Sequence, residues 1–230
     1  MTEESSQIML IPLRTDEPTK TPPIITMLLI AANVTAFVYQ FIVRGVDRAA
    51  VIYGAIPYEL MHMVDLPPPA PYSPYLSLLT YMFMHGGFVH IIGNMLFLNT
   101  FGPNIEDIMG HIKFLVFYLL CGIVSATVYI IPNFGSPVPL VGASGAIAGV
   151  MGAHLRALPG TRILCLLFII RITLPAVVIL FPWILLQFYN VGMNVESNVA
   201  WIAHIGGFIF GMLLVRKFQK RWFTRTSKDL

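Results

Sequence analysis

The stretch Val141-Gly142-Ala143-Ser144-Gly145-Ala146 leads into an apolar run that ends at Leu155, directly before Arg156. The 12 residues from Ser144 to Leu155 rise about 18 Å as a helix, whereas the hydrocarbon core of a bilayer is about 30 Å thick. A membrane helix this short must begin roughly 10 Å below one surface. At that depth, backbone outside a helix is tolerated only where protein buries it or where it lines a water-filled cavity. The run therefore predicts a helix that starts inside a membrane, with Ser144 beside water.

The composition is that of a polytopic membrane protein. Of the 230 residues, 57% are hydrophobic and 11% are charged, and the mean hydropathy is +0.77, whereas a soluble domain carries about 25% charged residues. The two cysteines, Cys121 and Cys165, lie in apolar stretches, so nothing indicates a disulfide framework. The net charge of +3 comes from basic residues that flank apolar segments, and we expect no nucleic-acid partner.

Hydropathy predicts an all-α bundle of six transmembrane helices. The six apolar segments are residues 24–43, 78–108, 114–131, 144–155, 163–189 and 198–215. The second and fifth segments are longer than a span requires. We therefore expect the early part of the second segment to lie in the interface, together with residues 163–170 of the fifth, whose span then begins near Arg171. The membrane domain covers residues 24–215, between a Pro-rich tail at 1–23, predicted to be disordered, and a basic tail at 216–230.

The distribution of Lys and Arg predicts that both termini face the cytoplasm. With the N-terminus inside, only Arg44 and Arg48 lie outside, and Arg171 lies near the inner boundary. This orientation satisfies the positive-inside rule. The remaining basic residues are all on the inner side: Arg14, Lys20, Lys113, Arg156, Arg162, Arg216, Lys217, Lys220, Arg221, Arg225 and Lys228. The lack of additional domains favours a minimal prokaryotic protein in the plasma membrane, although an organelle membrane is an alternative.

His204 is the candidate base for Ser144. It lies about six residues, or roughly 9 Å, into the sixth segment from the outer side, which matches the depth estimated for Ser144. An ionisable residue inside a span indicates a functional site, although a hydrogen-bonded packing role is the simplest alternative for His204 alone. No Asp or Glu lies at that depth on the outer side. The residues therefore favour a Ser–His dyad for nucleophilic catalysis.

Small residues follow both members of this dyad. Each of the two segments carries a GxxxG pattern, which lets helix backbones approach closely. We expect the two small-residue faces to pack against each other and to bring Ser144 within reach of His204. The four glycines predicted to pack there are Gly145, Gly149, Gly207 and Gly211.

His90 and Asn94 are the candidate donors for an oxyanion. They are four residues apart in the second segment, so both project from one helix face. The backbone N–H of Ser144, at an uncapped helix start, adds a further donor. The alternative for this pair is interhelical hydrogen bonding that serves stability. A metal site is less favoured, because His85 and His90 are five residues apart with no carboxylate or thiolate beside them. We expect neither a metal nor a cofactor.

With these residues in place, the chain resembles the rhomboid family of intramembrane serine proteases over about residues 24–215. The resembling stretches are Met84-His85-Gly86-Gly87-Phe88-Val89-His90-Ile91-Ile92-Gly93-Asn94, Gly142-Ala143-Ser144-Gly145 and Ala203-His204-Ile205-Gly206-Gly207-Phe208-Ile209-Phe210-Gly211, with Phe101-Gly102-Pro103, Glu106, Gly110 and Leu174-Pro175-Ala176 as lesser matches. The resemblance implies that Ser144 is the nucleophile and His204 the general base and acid, and that His90 and Asn94 help to hold the oxyanion. It also implies that the substrates are single-span membrane proteins, cut near the outer end of a helix that unwinds easily. The resemblance further implies that the fifth span and the long outer loop, at about residues 44–77, shape the lateral access of substrates.

The chain departs from the better-known members of that family at two places. Those members carry an aromatic residue one turn after the serine, on which the histidine stacks, and Ala148 stands there in this chain. Another group is therefore expected to position His204. Those members also have a Trp-Arg pair in the first outer loop, whereas residues 44–77 contain no tryptophan.

Two other functions compete with proteolysis. A rhomboid-like protein without activity could bind client helices or thin the bilayer, but it has no need of both Ser144 and His204. A small transporter could use a broken helix and buried histidines, but transporters of that kind usually show an internal repeat. Segments one to three do not resemble segments four to six. A third interpretation, in which the polar residues only pack helices, must explain each coincidence separately.

Overall fold

The computed structural model describes residues 10–195 and 199–220. Within them the chain is mostly helical, as the hydropathy of its segments predicts. The α-helices are α1 (Ile24–Tyr39), α2 (Val46–Tyr53), α3 (Pro57–His62), α4 (Ser77–Thr80), α5 (Phe88–Met109), α6 (His111–Ile130), α7 (Ser144–Ala157), α8 (Ala176–Gly192) and α9 (Trp201–Phe218). A π-helical turn, Gln40–Arg44, extends α1. Three sequence predictions lie outside the described residues: the tail before residue 10, the start of the sixth segment at residue 198, and the basic tail after residue 220, with Arg221, Arg225 and Lys228.

Three of the described helical segments are long and apolar enough to cross a bilayer: Ile24–Arg44, His111–Ile130 and Trp201–Phe218. Pro74–Phe83 and Phe88–Met109 meet at a bend of 80°. Counted as one broken span, this pair adds a fourth crossing. α8 is apolar but shorter. The count of six spans depends on treating α7 and α8 as membrane helices, and it stays a prediction.

α7 lies at the centre of the bundle, and its composition explains why. Every residue from Gly145 to His154 is buried, and a helix that is apolar all round is one that other helices surround. α6 and α9 pack against it through residues such as Cys121 and Phe208, both of which lie in the main hydrophobic core. The short helix is therefore enclosed by protein, which is the condition for starting it inside a membrane.

A three-stranded antiparallel sheet is the feature that the sequence did not predict. Its strands are β1 (Leu10–Thr15), β2 (Arg162–Leu167) and β3 (Ile170–Pro175), in the order β1-β2-β3. The prediction of a disordered N-terminal tail is therefore wrong for residues 10–15. The prediction that a span begins near Arg171 is also wrong, because Arg171 pairs with Leu166 in the sheet and the helix begins only at Ala176. The alternation of buried Ile163 and Cys165 along β2 follows the two-residue period of a strand.

The segment before α1 is fixed to the end of α5 by hydrogen bonds. Asn104 accepts a hydrogen bond from the Thr15 hydroxyl (2.7 Å) and donates one to the Glu17 carbonyl oxygen (3.0 Å). The Glu106 carboxylate accepts the backbone N–H groups of Ile25 and Thr26, both at 2.8 Å. An acidic group at a helix N-terminus satisfies donors that the helix itself leaves free. Glu106 therefore caps α1 and ties it to α5.

Candidate active site

Ser144 is the first residue of α7, and the backbone before it is held in a conformation that favours glycine. Gly142 has φ +120°, a value that residues with a Cβ rarely adopt. Its N–H donates to the carbonyl oxygen of Tyr81 at 2.9 Å, and the buried Tyr81 hydroxyl donates to the Gly122 carbonyl oxygen at 2.6 Å. These bonds connect the turn before Ser144 to the surrounding bundle.

The structure brings Ser144 and His204 together. The Oγ atom of Ser144 lies 2.8 Å from Nε2 of His204, which is hydrogen-bond distance for a hydroxyl and an imidazole nitrogen. His204 lies in the first turn of α9 and is 9% exposed. A serine and a histidine in this geometry can form a nucleophile and its base.

Close backbone contact between α7 and α9 creates this juxtaposition. A Cβ added to Gly207 would lie within 3.0 Å of the Gly145 carbonyl oxygen, and one added to Gly211 would meet the carbonyl of Gly149 in the same way. The four glycines expected to pack therefore lie in one helix contact. Ser125 of α6 adds a polar contact, since its hydroxyl donates to the Ala203 carbonyl oxygen at 2.8 Å.

Two residues of α8 contact His204, and the sequence did not predict either one. The Oε1 atom of Gln187 lies 2.9 Å from Nδ1 of His204. The indole ring of Trp183 has its centroid 5.7 Å from the imidazole centroid, at an interplanar angle of 31°. Trp201 approaches the same ring edge-on, at 6.3 Å and 83°. No carboxylate lies at this depth, so the sequence predicted a dyad; the signal for a third polar partner is a glutamine inside an apolar segment.

His90 and Asn94 lie on α5, and His90 faces the turn before Ser144. A Cβ placed on Gly142 would lie 2.7 Å from Nε2 of His90 and 3.6 Å from Oγ of Ser144. The missing side chain of Gly142 therefore leaves open the space between those two atoms. His90 accepts a hydrogen bond from the Gly86 N–H at Nδ1, 3.3 Å away. Asn94 is 7% exposed, and its Nδ2 donates to no group in the described part of the protein. This amide nitrogen can therefore donate a hydrogen bond to a bound group.

No group of three or more His, Cys, Asp or Glu side chains that could hold a metal ion occurs in residues 10–195 and 199–220. His85 packs edge-on against His90, with ring centroids 5.2 Å apart. Its two ring nitrogens are buried and have no hydrogen-bond partner among the described groups.

Comparison with known proteins identifies the rhomboid family. The Rhomboid domain matches residues 73–221. RHOMBOID-like protein 4 of Arabidopsis thaliana is 32% identical over 142 residues, which are 60% of this chain and 32% of that protein. YdcA, a rhomboid protein of Bacillus subtilis, is 31% identical over 161 residues, 63% of this chain and 70% of YdcA. Rhomboid protease GluP of B. subtilis is 35% identical over 136 residues, which are 58% of this chain and 24% of GluP. The chain thus spans about a third of the plant relative and most of YdcA.

Proposed function

Because the chain belongs to the rhomboid family and is an integral membrane protein, we propose that it is an intramembrane serine endopeptidase. Ser144 is the nucleophile and His204 the general base and acid. The observation that carries this proposal is the 2.8 Å hydrogen bond between Ser144 Oγ and His204 Nε2. The name of the relative GluP, a rhomboid protease, is consistent with it.

In the proposed reaction, His204 Nε2 takes the hydroxyl proton while Ser144 Oγ attacks the carbonyl carbon of a peptide bond. The resulting tetrahedral intermediate carries a negative oxygen, and preorganised donors stabilise it. Asn94 Nδ2, His90 and the backbone N–H of Ser144 are the proposed donors. The imidazolium of His204 then protonates the leaving amine, and a water molecule hydrolyses the acyl-enzyme with His204 again as base.

The proposed substrates are single-span membrane proteins, cut in or near their transmembrane segment. Large apolar side chains of α8, including Phe181, Leu185 and Phe188, are exposed. Such a surface fits contact with lipid or with an apolar helix. The basic residues of the loops support an orientation with both termini in the cytoplasm, and we propose the plasma membrane as the location. No metal or cofactor is required for this mechanism.

A serine-directed fluorophosphonate tests the nucleophile without knowledge of the substrate. We expect it to label the wild-type protein, and we expect Ser144→Ala to abolish labelling. The matched control is Ser136→Ala, because Ser136 lies in the loop before α7, where its hydroxyl accepts a hydrogen bond from the Val138 N–H (3.2 Å). Labelling of Ser144→Ala at the wild-type rate would contradict the assignment. Absence of labelling in the folded wild-type protein would favour a rhomboid-like binder without protease activity.

A further inference from the structure

We infer that Gln187 is a positioning residue that sets the tautomer of His204. The dyad of α7 and α9 then depends on a third helix, α8, which carries Gln187. The inference rests on the proposed protease function and deepens it. Ala148, one turn after Ser144 in α7, has no ring that could stack on the imidazole of His204. Gln187, on α8, supplies a contact to the opposite side of the imidazole from Ser144.

The orientation of the Gln187 amide is determined by its second hydrogen bond. The Nε2 atom of Gln187 donates to the Trp183 carbonyl oxygen, one turn earlier in α8, at 3.0 Å. If the amide were flipped, its oxygen would face that carbonyl oxygen, and two acceptors would oppose each other. Oε1 therefore points to His204 Nδ1, at 2.9 Å.

The amide orientation fixes the proton on the imidazole. An amide oxygen can only accept, so Nδ1 of His204 must carry a hydrogen to form this bond. In the neutral ring, Nε2 then has the free lone pair, which is what the hydroxyl of Ser144 requires of a base. Gln187 thus holds the tautomer and orientation of His204, which is one of the two roles of the carboxylate in a Ser-His-Asp triad. It does so without a buried negative charge, which is costly inside a membrane.

The helix that carries Gln187 packs on the bundle along a single stripe. Its buried residues are Ala176, Leu180, Ile184, Gln187 and Asn190. Gln187 is 2% exposed, whereas its neighbours Leu186 and Phe188 are 44% and 48% exposed. The Trp183 ring covers the same imidazole from one turn earlier. His204 therefore has its reactive tautomer only while this face of α8 is packed against α9.

Three variants of the full chain, purified and placed in lipid vesicles with a single-span reporter substrate, test the inference. Gln187→Leu keeps the volume but removes the acceptor, and Gln187→Glu keeps the acceptor. The control is Thr127→Ala in α6, which removes an exposed hydroxyl that donates to the Ile123 carbonyl oxygen of its own helix at 2.8 Å. We expect Gln187→Leu to lower kcat about 10- to 100-fold with little change in KM, which is part of the about 10²–10⁴-fold that general-base catalysis contributes. We expect Thr127→Ala to match the wild type.

Gln187→Glu provides the measurement that a packing role alone would not move. A carboxylate beside Nδ1 stabilises the imidazolium, so we expect activity to recover and the acid limb of the pH–rate profile to shift to higher pH. If Gln187→Leu is poorly folded, this variant still decides the question. Two results overturn the inference: a wild-type kcat in Gln187→Leu, or an unshifted pH–rate profile in an active Gln187→Glu. Neither result overturns the proposed function, as long as Ser144→Ala is inactive. A wild-type protein that neither cleaves the reporter nor reacts with fluorophosphonate overturns the proposed function as well.

Discussion

Gly207 of α9 lies so close to the carbonyl oxygen of Gly145 in α7 that no side chain fits between them. Gly145 directly follows Ser144, and Gly207 comes three residues after His204, on the same helix face. The contact of the two backbones therefore fixes the relative height of the serine and the histidine. The same close approach recurs one turn further along the pair, at Gly149 and Gly211.

Replacing Gly207 by alanine should both loosen the packing of α7 against α9 and lower the reactivity of Ser144. The added methyl meets backbone rather than a flexible side chain, and inserting a methyl into a packed core costs about 1–3 kcal/mol. We expect a lower melting temperature in detergent and slower labelling by fluorophosphonate. The control is Gly93→Ala in α5, where a Cβ meets nothing within 4 Å. Equal melting temperatures and labelling rates for Gly207→Ala and the wild type would rule out the described packing.

Removing either proposed oxyanion donor should slow catalysis without unfolding the protein. We expect His90→Ala or Asn94→Ala to lower kcat by about 10²–10³-fold, or about 2.7–4 kcal/mol, as for loss of an oxyanion-hole donor. Initial rates of reporter cleavage at saturating substrate measure this effect. Asn133→Ala is the control, because Asn133 follows α6 and its side-chain amide donates to the Tyr129 carbonyl oxygen at the end of that helix (2.7 Å). If kcat is unchanged in both His90→Ala and Asn94→Ala, the two residues serve packing instead.

Removing the carboxylate of Glu106 should destabilise the bundle far from the dyad. Glu106 is fully buried and accepts two backbone N–H groups and the hydroxyl of Thr26. Hydrogen bonds to a charged group are worth about 1.5–3 kcal/mol each, so we expect Glu106→Ala to lower the free energy of unfolding by about 3 kcal/mol or more. Unfolding by denaturant in mixed micelles measures the loss. The control is Glu17→Ala, because the side chain of Glu17 is exposed. If Glu106→Ala changes the free energy of unfolding as little as Glu17→Ala does, Glu106 does not cap α1.

The parts of the fold that the sequence predicted are those with a strong local signal. Apolar length identified the helices near 24–43, 114–131 and 144–155, and the depth of Ser144 in its short run matched that of His204. The matched glycine spacing in the two segments then predicted their contact. All of these features depend on residues close together in the chain, or on a depth that the bilayer itself defines.

The features that the sequence missed depend on distant partners or on neutral polar groups. β1 pairs with β2, so Thr15 lies opposite Ile163, and nothing near residue 15 indicates a strand partner so far along the chain. Apolar Ile163 and Cys165 fit a helix and a buried strand equally well, so the fifth segment was extended through β2 and β3. Gln187 was missed because an uncharged amide does not stand out as an ionisable residue does.

The most direct test of the central claim is cleavage of a single-span reporter protein in vesicles, with the wild type compared with Ser144→Ala and His204→Ala. The account predicts cleavage by the wild type alone, within or near the transmembrane segment of the reporter, while both variants keep the melting temperature of the wild type. Cleavage at the wild-type rate by either variant would contradict it, because the hydroxyl of Ser144 or the imidazole of His204 would then be dispensable.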